Sequence, residues 1–157
     1  MTDLAAHLLP ELALEEGNKA LVYDDATGLP FKRGDTLKGN LSAGIGLNLM
    51  IPFAPEELDF LERFRIGKGM ALLGEYAWFQ IQDPVRQVAL ADIAYNIGIG
   101  GLIRWPHFLS FMADKDYPSA VAEIQSDHLW LSQVGPARAT RIIGMLASGE
   151  WPADIHV

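Results

Sequence analysis

The chain has 157 residues, of which 50 % are hydrophobic and 20 % charged, a length and balance that suit one domain with a sizeable core and exclude disorder. Twenty acids against twelve bases give a formal charge of −8, which argues against nucleic acid as a partner, since phosphate binding draws on clustered Lys and Arg. There is no cysteine, so a disulfide scaffold, thiol catalysis and cysteine-ligated zinc are excluded.

No stretch approaches the roughly 20 apolar residues that cross a bilayer, so no integral membrane segment is expected. Met1-Thr2-Asp3 opens with an acid where a secretory signal places Lys or Arg, and the chain is expected to be made in the cytoplasm without an export signal. His7, His107, His128 and His156 are scattered without metal-ligand spacing and read as surface or capping residues; neither metal nor cofactor is expected.

In chain order, Leu4, Leu8, Leu9, Leu12 and Leu14 fall roughly at helical period. They predict a helix over 3–16 with Thr2 or Asp3 as N-cap, Gly17 as stop and Pro10 placed to kink it. Residues 18–50 change character: Gly28, Pro30, Gly34, Gly39, Gly44 and Gly46 punctuate short β-prone pieces, which predicts a small antiparallel hairpin lobe. Pro55-Glu56-Glu57 opens a helix, with proline in the first turn and acids at the positive dipole end. A second helix is expected over Lys68–Ile81, broken by Asp83-Pro84.

The segment 84–97 is apolar nearly all round and is expected to be the buried central helix, ended by Gly98-Ile99-Gly100-Gly101. That glycine run follows a helix rather than a strand, so it reads as a terminating turn and not as a phosphate cradle. Shorter helices are expected at about 106–113, 118–125 and 136–147. The fold class is therefore α+β, predominantly α: a β lobe over 18–50, a helical lobe over 55–157 joined by the 3–16 helix, and a ligand cleft between lobes.

Glu16 and Asp25, with eight residues between them, stand either side of the bend where the first helix gives way to the extended Ala20-Leu21-Val22-Tyr23. Two carboxylates so placed can flank one glycosidic bond, one protonating the leaving oxygen while the other, ionised, steers a water to the far face of the sugar. Taken alone, such a pair reads equally as solvated surface acids at a helix end.

Three separated blocks widen the reading. The first is Glu16-Gly17, Tyr23-Asp24-Asp25 and Gly28, followed by Leu41-Ser42-Ala43-Gly44-Ile45-Gly46. The second runs from Asp83-Pro84-Val85-Arg86 through Ala94-Tyr95-Asn96-Ile97-Gly98. The third runs from Trp130 through Gly135-Pro136-Ala137-Arg138-Ala139-Thr140-Arg141 to Gly149-Glu150-Trp151. In order and approximate distance these resemble the phage-type lysozyme (muramidase, endolysin) family along nearly the whole chain.

The resemblance implies a lysozyme-like fold and hydrolysis of the β-1,4 bond between N-acetylmuramic acid and N-acetylglucosamine in peptidoglycan, with inversion. It implies Glu16 as general acid, Asp25 as the carboxylate holding the attacking water or the oxocarbenium charge, and Ser42 as a second arm on that water. Two departures stand out. Sixteen residues separate Asp25 from Ser42 where the family's pattern has few, so a loop over Leu29–Asn40 is inserted, and serine replaces threonine. That loop either lids the cleft or lengthens a turn.

Similarity points further to Asn48, Tyr95 and Asn96 as sugar contacts, and more weakly to Phe108 and Glu123, whose residue types differ from the family's. Asp24 reads as a solvated neighbour. Arg138 and Arg141 share a helical face and fit either the peptide stem or core-capping salt bridges. Trp105, Trp130 and Trp151 read as packing anchors. An enzyme of this kind acts as a monomer on glycan strands in the periplasmic wall, and from a host cytoplasm it depends on a holin-type pore for access. The competing readings are a lytic transglycosylase, which needs the acid but not the water-holding pair, and a non-catalytic wall-binding or tail-associated module.

Overall fold

Antiparallel pairing begins where the punctuated segment turns aliphatic and aromatic. The computed structural model describes residues 8, 10–13 and 19–153, and its strands are β1 (Lys19–Asp24), β2 (Leu41–Gly44) and β3 (Leu47–Asn48), in the order β1-β2-β3. Residues 8 and 10–13 are helical, but the rest of the predicted 3–16 helix, its Gly17 stop and Glu16 lie outside the described residues. The chain divides into two compact units, Met1–Leu58 and Asp59–Val157. The division falls inside a helix, not in the 51–54 stretch where composition changes.

In the first unit, Tyr23 faces Ser42 and Asp24 faces Leu41, while Ser42 also faces Asn48; a bulge shifts the register between Lys19 and Tyr23. Ile45 and Gly46 turn β2 into β3. The connection from β1 to β2 is longer and folds back on β1. A turn over residues 25–28 is closed by the N–H groups of Thr27 and Gly28 on the Asp24 carbonyl, and residues 29–31 then run along the free edge of β1. There Asp24 N–H donates to the Leu29 carbonyl and Phe31 N–H to that of Val22. The inserted segment thus supplies a rudimentary fourth edge to the sheet.

From Pro55 onward the chain is helical. Helix α1 (Pro55–Leu73) carries Pro55 at its start, and the Glu57 carboxylate reaches back to the Ala54 N–H at 2.7 Å, satisfying a donor that the first turn leaves open. It runs without interruption through Lys68, where a second helix was expected to begin. The break comes at Gly74-Glu75-Tyr76 instead, after which α2 (Ala77–Gln80) is one short turn. Nothing in α1 forbids continuation, since neither Gly67 nor Gly69 meets a neighbour that would demand a bend.

Helix α3 (Pro84–Ile97) is the central element as expected, with Asp83 as N-cap and Pro84 in the first turn. Its Ala89, Leu90 and Ile93 are wholly enclosed, while Val88 and Tyr95 face outward. Beyond Gly98 the chain does not simply turn: Ile99–Leu102 forms α4, one further helical turn. Helices α5 (Pro106–Ala113), α6 (Tyr117–Ser126), α7 (His128–Val134) and α8 (Pro136–Ser148) complete the second unit. Helix α7 was not anticipated, although Asp127 caps it by accepting from Trp130 N–H at 2.9 Å and Gly135 closes it.

The core of the second unit gathers around α3 from α2, α5, α6 and α8, with Phe79, Leu90, Phe108, Ile124, Ile142 and Leu146 among its enclosed side chains. Trp105 and Trp130 meet edge to face at 6.2 Å and behave as the packing anchors expected of them, whereas Trp151 is partly exposed. The observed class is α+β, mostly α. Among the described residues no helix is long and apolar enough to cross a membrane.

Candidate active site

The sheet of the first unit places its chemistry by parity. Opposed residues on an antiparallel pair share a face, and every second residue along a strand returns to it. Tyr23, Ser42 and Asn48 therefore lie on one face, and Asp25 and Asn40 continue that row past the strand ends. Asp25 N–H donates to the Asn40 carbonyl at 2.9 Å, which carries the register one step beyond β1.

Asp24 and Asp25 have opposite fates. Asp24 was expected to be a solvated bystander, but it is only 5 % exposed. Its Oδ1 accepts from the N–H groups of Ala26 and Gly39, both at 3.0 Å, and its Oδ2 from that of Lys38 at 2.7 Å. A carboxylate at the strand end, with three amides converging on it, ties both ends of the β1–β2 connection together.

Asp25, on the other parity, is exposed. Its Oδ1 accepts from the Asn40 backbone N–H at 2.6 Å and its Oδ2 from the Asn40 side-chain amide at 2.9 Å. The backbone N–H of Asn40, then its side chain, hold the Asp25 carboxyl below the ordinary aspartate range, because hydrogen bonds to the anion favour it over the acid. No ion pair joins Asp25 to a cation among the described residues.

Ser42 shares the row but is 2 % exposed, so any water its hydroxyl holds is an enclosed one. Asn48 is half-buried, and its Oδ1 accepts from Met50 N–H at 2.8 Å. Half of its amide is thereby committed to the local turn, which fixes the side chain.

The remaining candidates lie in the second unit. Tyr95 is 71 % exposed near the end of α3 and lines a hollow of about 540 Å³ with α1 and α3 side chains, among them Arg65, Met70, Leu73, Val88 and Asp92, together with Arg138. Asn96 beside it is also exposed. Arg138 is bound to Asp92, its Nε donating at 2.8 Å, which is the salt-bridge role among the two considered for it. Glu123 is exposed and lines a separate hollow of about 340 Å³ with Trp105, Asp127 and His128.

Phe108 cannot be a sugar contact. It is 0 % exposed and packs edge to face against Trp105 at 5.9 Å, because its place on the inward stripe of α5 puts an apolar ring where the core needs volume.

The structure thus brings Asp25, Ser42 and Asn48 to one end of one sheet and Tyr95 and Asn96 to one helix end. Glu123 stands apart from the latter pair, and Glu16 is outside the described residues. Sequence reasoning passed over Asn40 and Gly39. Their signal was the register itself: Asn40 stands as far before Ser42 as Asp25 stands after Tyr23, so pairing those strands brings it opposite the carboxylate.

No cluster of His, Asp or Glu among the described residues is arranged to hold a metal ion. No protein-family model matches the chain, and no curated protein matches it.

Proposed function

We propose that this chain is a peptidoglycan hydrolase of the phage-type lysozyme class. It would cleave the β-1,4 bond between N-acetylmuramic acid and N-acetylglucosamine, with Glu16 as proton donor and Asp25 as the ionised partner. The observation that carries the reading is Asp25: an exposed carboxylate, clamped through both oxygens and kept anionic, next to a buried serine on the same sheet face.

The chemistry follows from that state. Departure of the sugar leaving group needs a proton on the glycosidic oxygen and negative charge near the anomeric carbon as positive charge develops there. Asp25 supplies the charge and, through the lone pairs that Asn40 leaves open, a direction for the attacking water. Ser42 would serve as the inner arm on that water. Glu16 supplies the proton and must be protonated to do so, which bounds activity on the alkaline side. On the acid side the bound is Asp25, whose lowered pKa lets activity persist below the ordinary aspartate range.

The fold and the resemblance of its three sequence blocks support the same reading, with Tyr95 and Asn96 as the exposed candidates for glycan contact. The enzyme would act as a monomer on wall glycan, made in a host cytoplasm and reaching the periplasm through a holin-type pore.

Turbidity of permeabilised Gram-negative cells tests the proposal. Wild type should clear the suspension, while Glu16→Gln and Asp25→Asn should each clear at least about a hundredfold more slowly, the scale expected on removing a general acid or a charge-stabilising group. Equal clearing by all three proteins would end the enzymatic reading.

A further inference from the structure

The inserted loop does more than lengthen a turn. The ends of the β1–β2 connection that contains it are drawn together by the buried Asp24 carboxylate, through the N–H groups of Ala26 at one end and Lys38 and Gly39 at the other. This closure sets Asn40 directly across from Asp25. Gly39 lets the chain pass close enough, because a Cβ there would run into Asp25 Oδ1 and into Ala26.

We propose that Asn40 is the positioning residue of the site: its backbone N–H and side-chain amide grip the two oxygens of Asp25, fixing the carboxylate's rotation, and the 26–39 loop is the frame that delivers this grip. The proposal rests on the reading of Asp25 as the anionic partner in glycan cleavage.

A lone surface carboxylate turns freely about its last torsion, so its free lone pairs sweep a broad arc. One bond to each oxygen stops that rotation, and each oxygen keeps a further lone pair. Both bonds are made to the anion, and protonating either oxygen weakens one.

The charged groups around Asp25 do not do this work. On β1, Asp24 is turned into the loop, and Lys19 donates to the Gly28 carbonyl at 3.0 Å and lies over the Tyr23 ring. From the loop, Lys38 adjoins the site and bonds Asp24 through its backbone. No cation pairs with Asp25 among the described residues, so an amide grip is what holds it.

The test is the full chain carrying Asn40→Ala, with Asn40→Ser as a milder change that keeps a hydrogen-bonding side chain. Two readouts are taken: carbon-13 NMR titration of the Asp25 carboxyl without substrate, and the pH profile of cell clearing. Removing the amide should raise the Asp25 titration midpoint and carry the acid limb of the profile upward with it, leaving the alkaline limb in place. kcat should fall roughly tenfold with KM little changed, the size expected for one charge-assisted hydrogen bond acting in the transition state. Asn40→Ser should fall between alanine and wild type.

An Asp25 midpoint unmoved in both variants would overturn the proposal, as would a loss of activity with both limbs of the profile in place. A raised midpoint in a protein whose wild type clears no cells would uphold the grip and overturn the reaction assigned to it.

Discussion

At the scale of single residues, the site depends on a missing methyl. Gly39 passes so near Asp25 that a Cβ would overlap Oδ1 and the Cβ and backbone nitrogen of Ala26. Of the three, only the carboxylate can move without dragging the backbone. Gly39→Ala should therefore displace Asp25 from Asn40 and slow cell clearing by roughly tenfold or more, given that overpacking costs about 1–3 kcal/mol and each 1.4 kcal/mol is a factor of ten. Thermal unfolding should shift by only a few degrees, since the site is at the surface. A variant with wild-type clearing rates would show that the close approach carries no functional weight. Asp24 and Asp25 illustrate what sequence could and could not deliver here: their types were plain, but adjacent residues on a strand face opposite ways, and which of the two is buried depends on a loop whose path no local pattern dictates.

At the scale of elements, α3 and α8 are joined by Arg86, a buried guanidinium that donates to the Leu146 carbonyl at 2.8 Å and the Ala147 carbonyl at 2.9 Å. It thereby satisfies carbonyls at the end of α8, where the helix dipole favours a cation. Gly149 follows at φ 70°, left-handed, and a side chain there would meet the same guanidinium. The start of the second motif block, Asp83 to Arg86, and Gly149 near the end of the third thus meet at one structural joint.

Asp83 completes the joint by capping α3 through Arg86 N–H at 3.0 Å and pairing with the Arg86 side chain. Burial works against its ionisation, yet the backbone N–H and guanidinium of Arg86 outweigh it, and its pKa lies below the ordinary value. Asp83→Ala removes a cap and the counter-charge of Arg86, which keeps its bonds to the Leu146 and Ala147 carbonyls, for a loss of about 1–2 kcal/mol in denaturant unfolding. The folded-state pKa is depressed, so the stability Asp83 contributes is complete above the ordinary aspartate range and is lost as pH falls through the folded value. The wild-type advantage over Asp83→Ala should therefore shrink in acid and be constant near neutrality. A difference that instead grew in acid would contradict the pairing.

Most helices were legible because capping residues and proline mark their starts: Pro55, Asp83-Pro84 and Pro136 each open one where expected. The boundary misplaced at Lys68 and the overlooked α7 are cases where local signals are weak. Helix α1 has no apolar stripe to define it, since Leu73 is the residue of it that the core encloses. Helix α7 is too short for periodicity to stand out.

For the whole molecule, the sequence pattern was a sound guide to class, because strand signals fade after residue 51 while Pro55, Asp83-Pro84 and Pro136 open apolar segments that bury themselves as packed helices. It said nothing of the division of the chain within α1, since that depends on contacts distant in sequence. Under the proposed function, the formal charge of −8 requires any hold on an anionic wall polymer to be local, through sugar contacts rather than a general field.

In the proposed reaction, water positioned by Asp25 is the species that resolves the cleaved bond. Mass spectrometry of peptidoglycan digested by the wild-type chain measures that outcome directly. Products should end in reducing N-acetylmuramic acid that carries the added water. Glycan ends in the anhydro form, or wall left undigested, would contradict it.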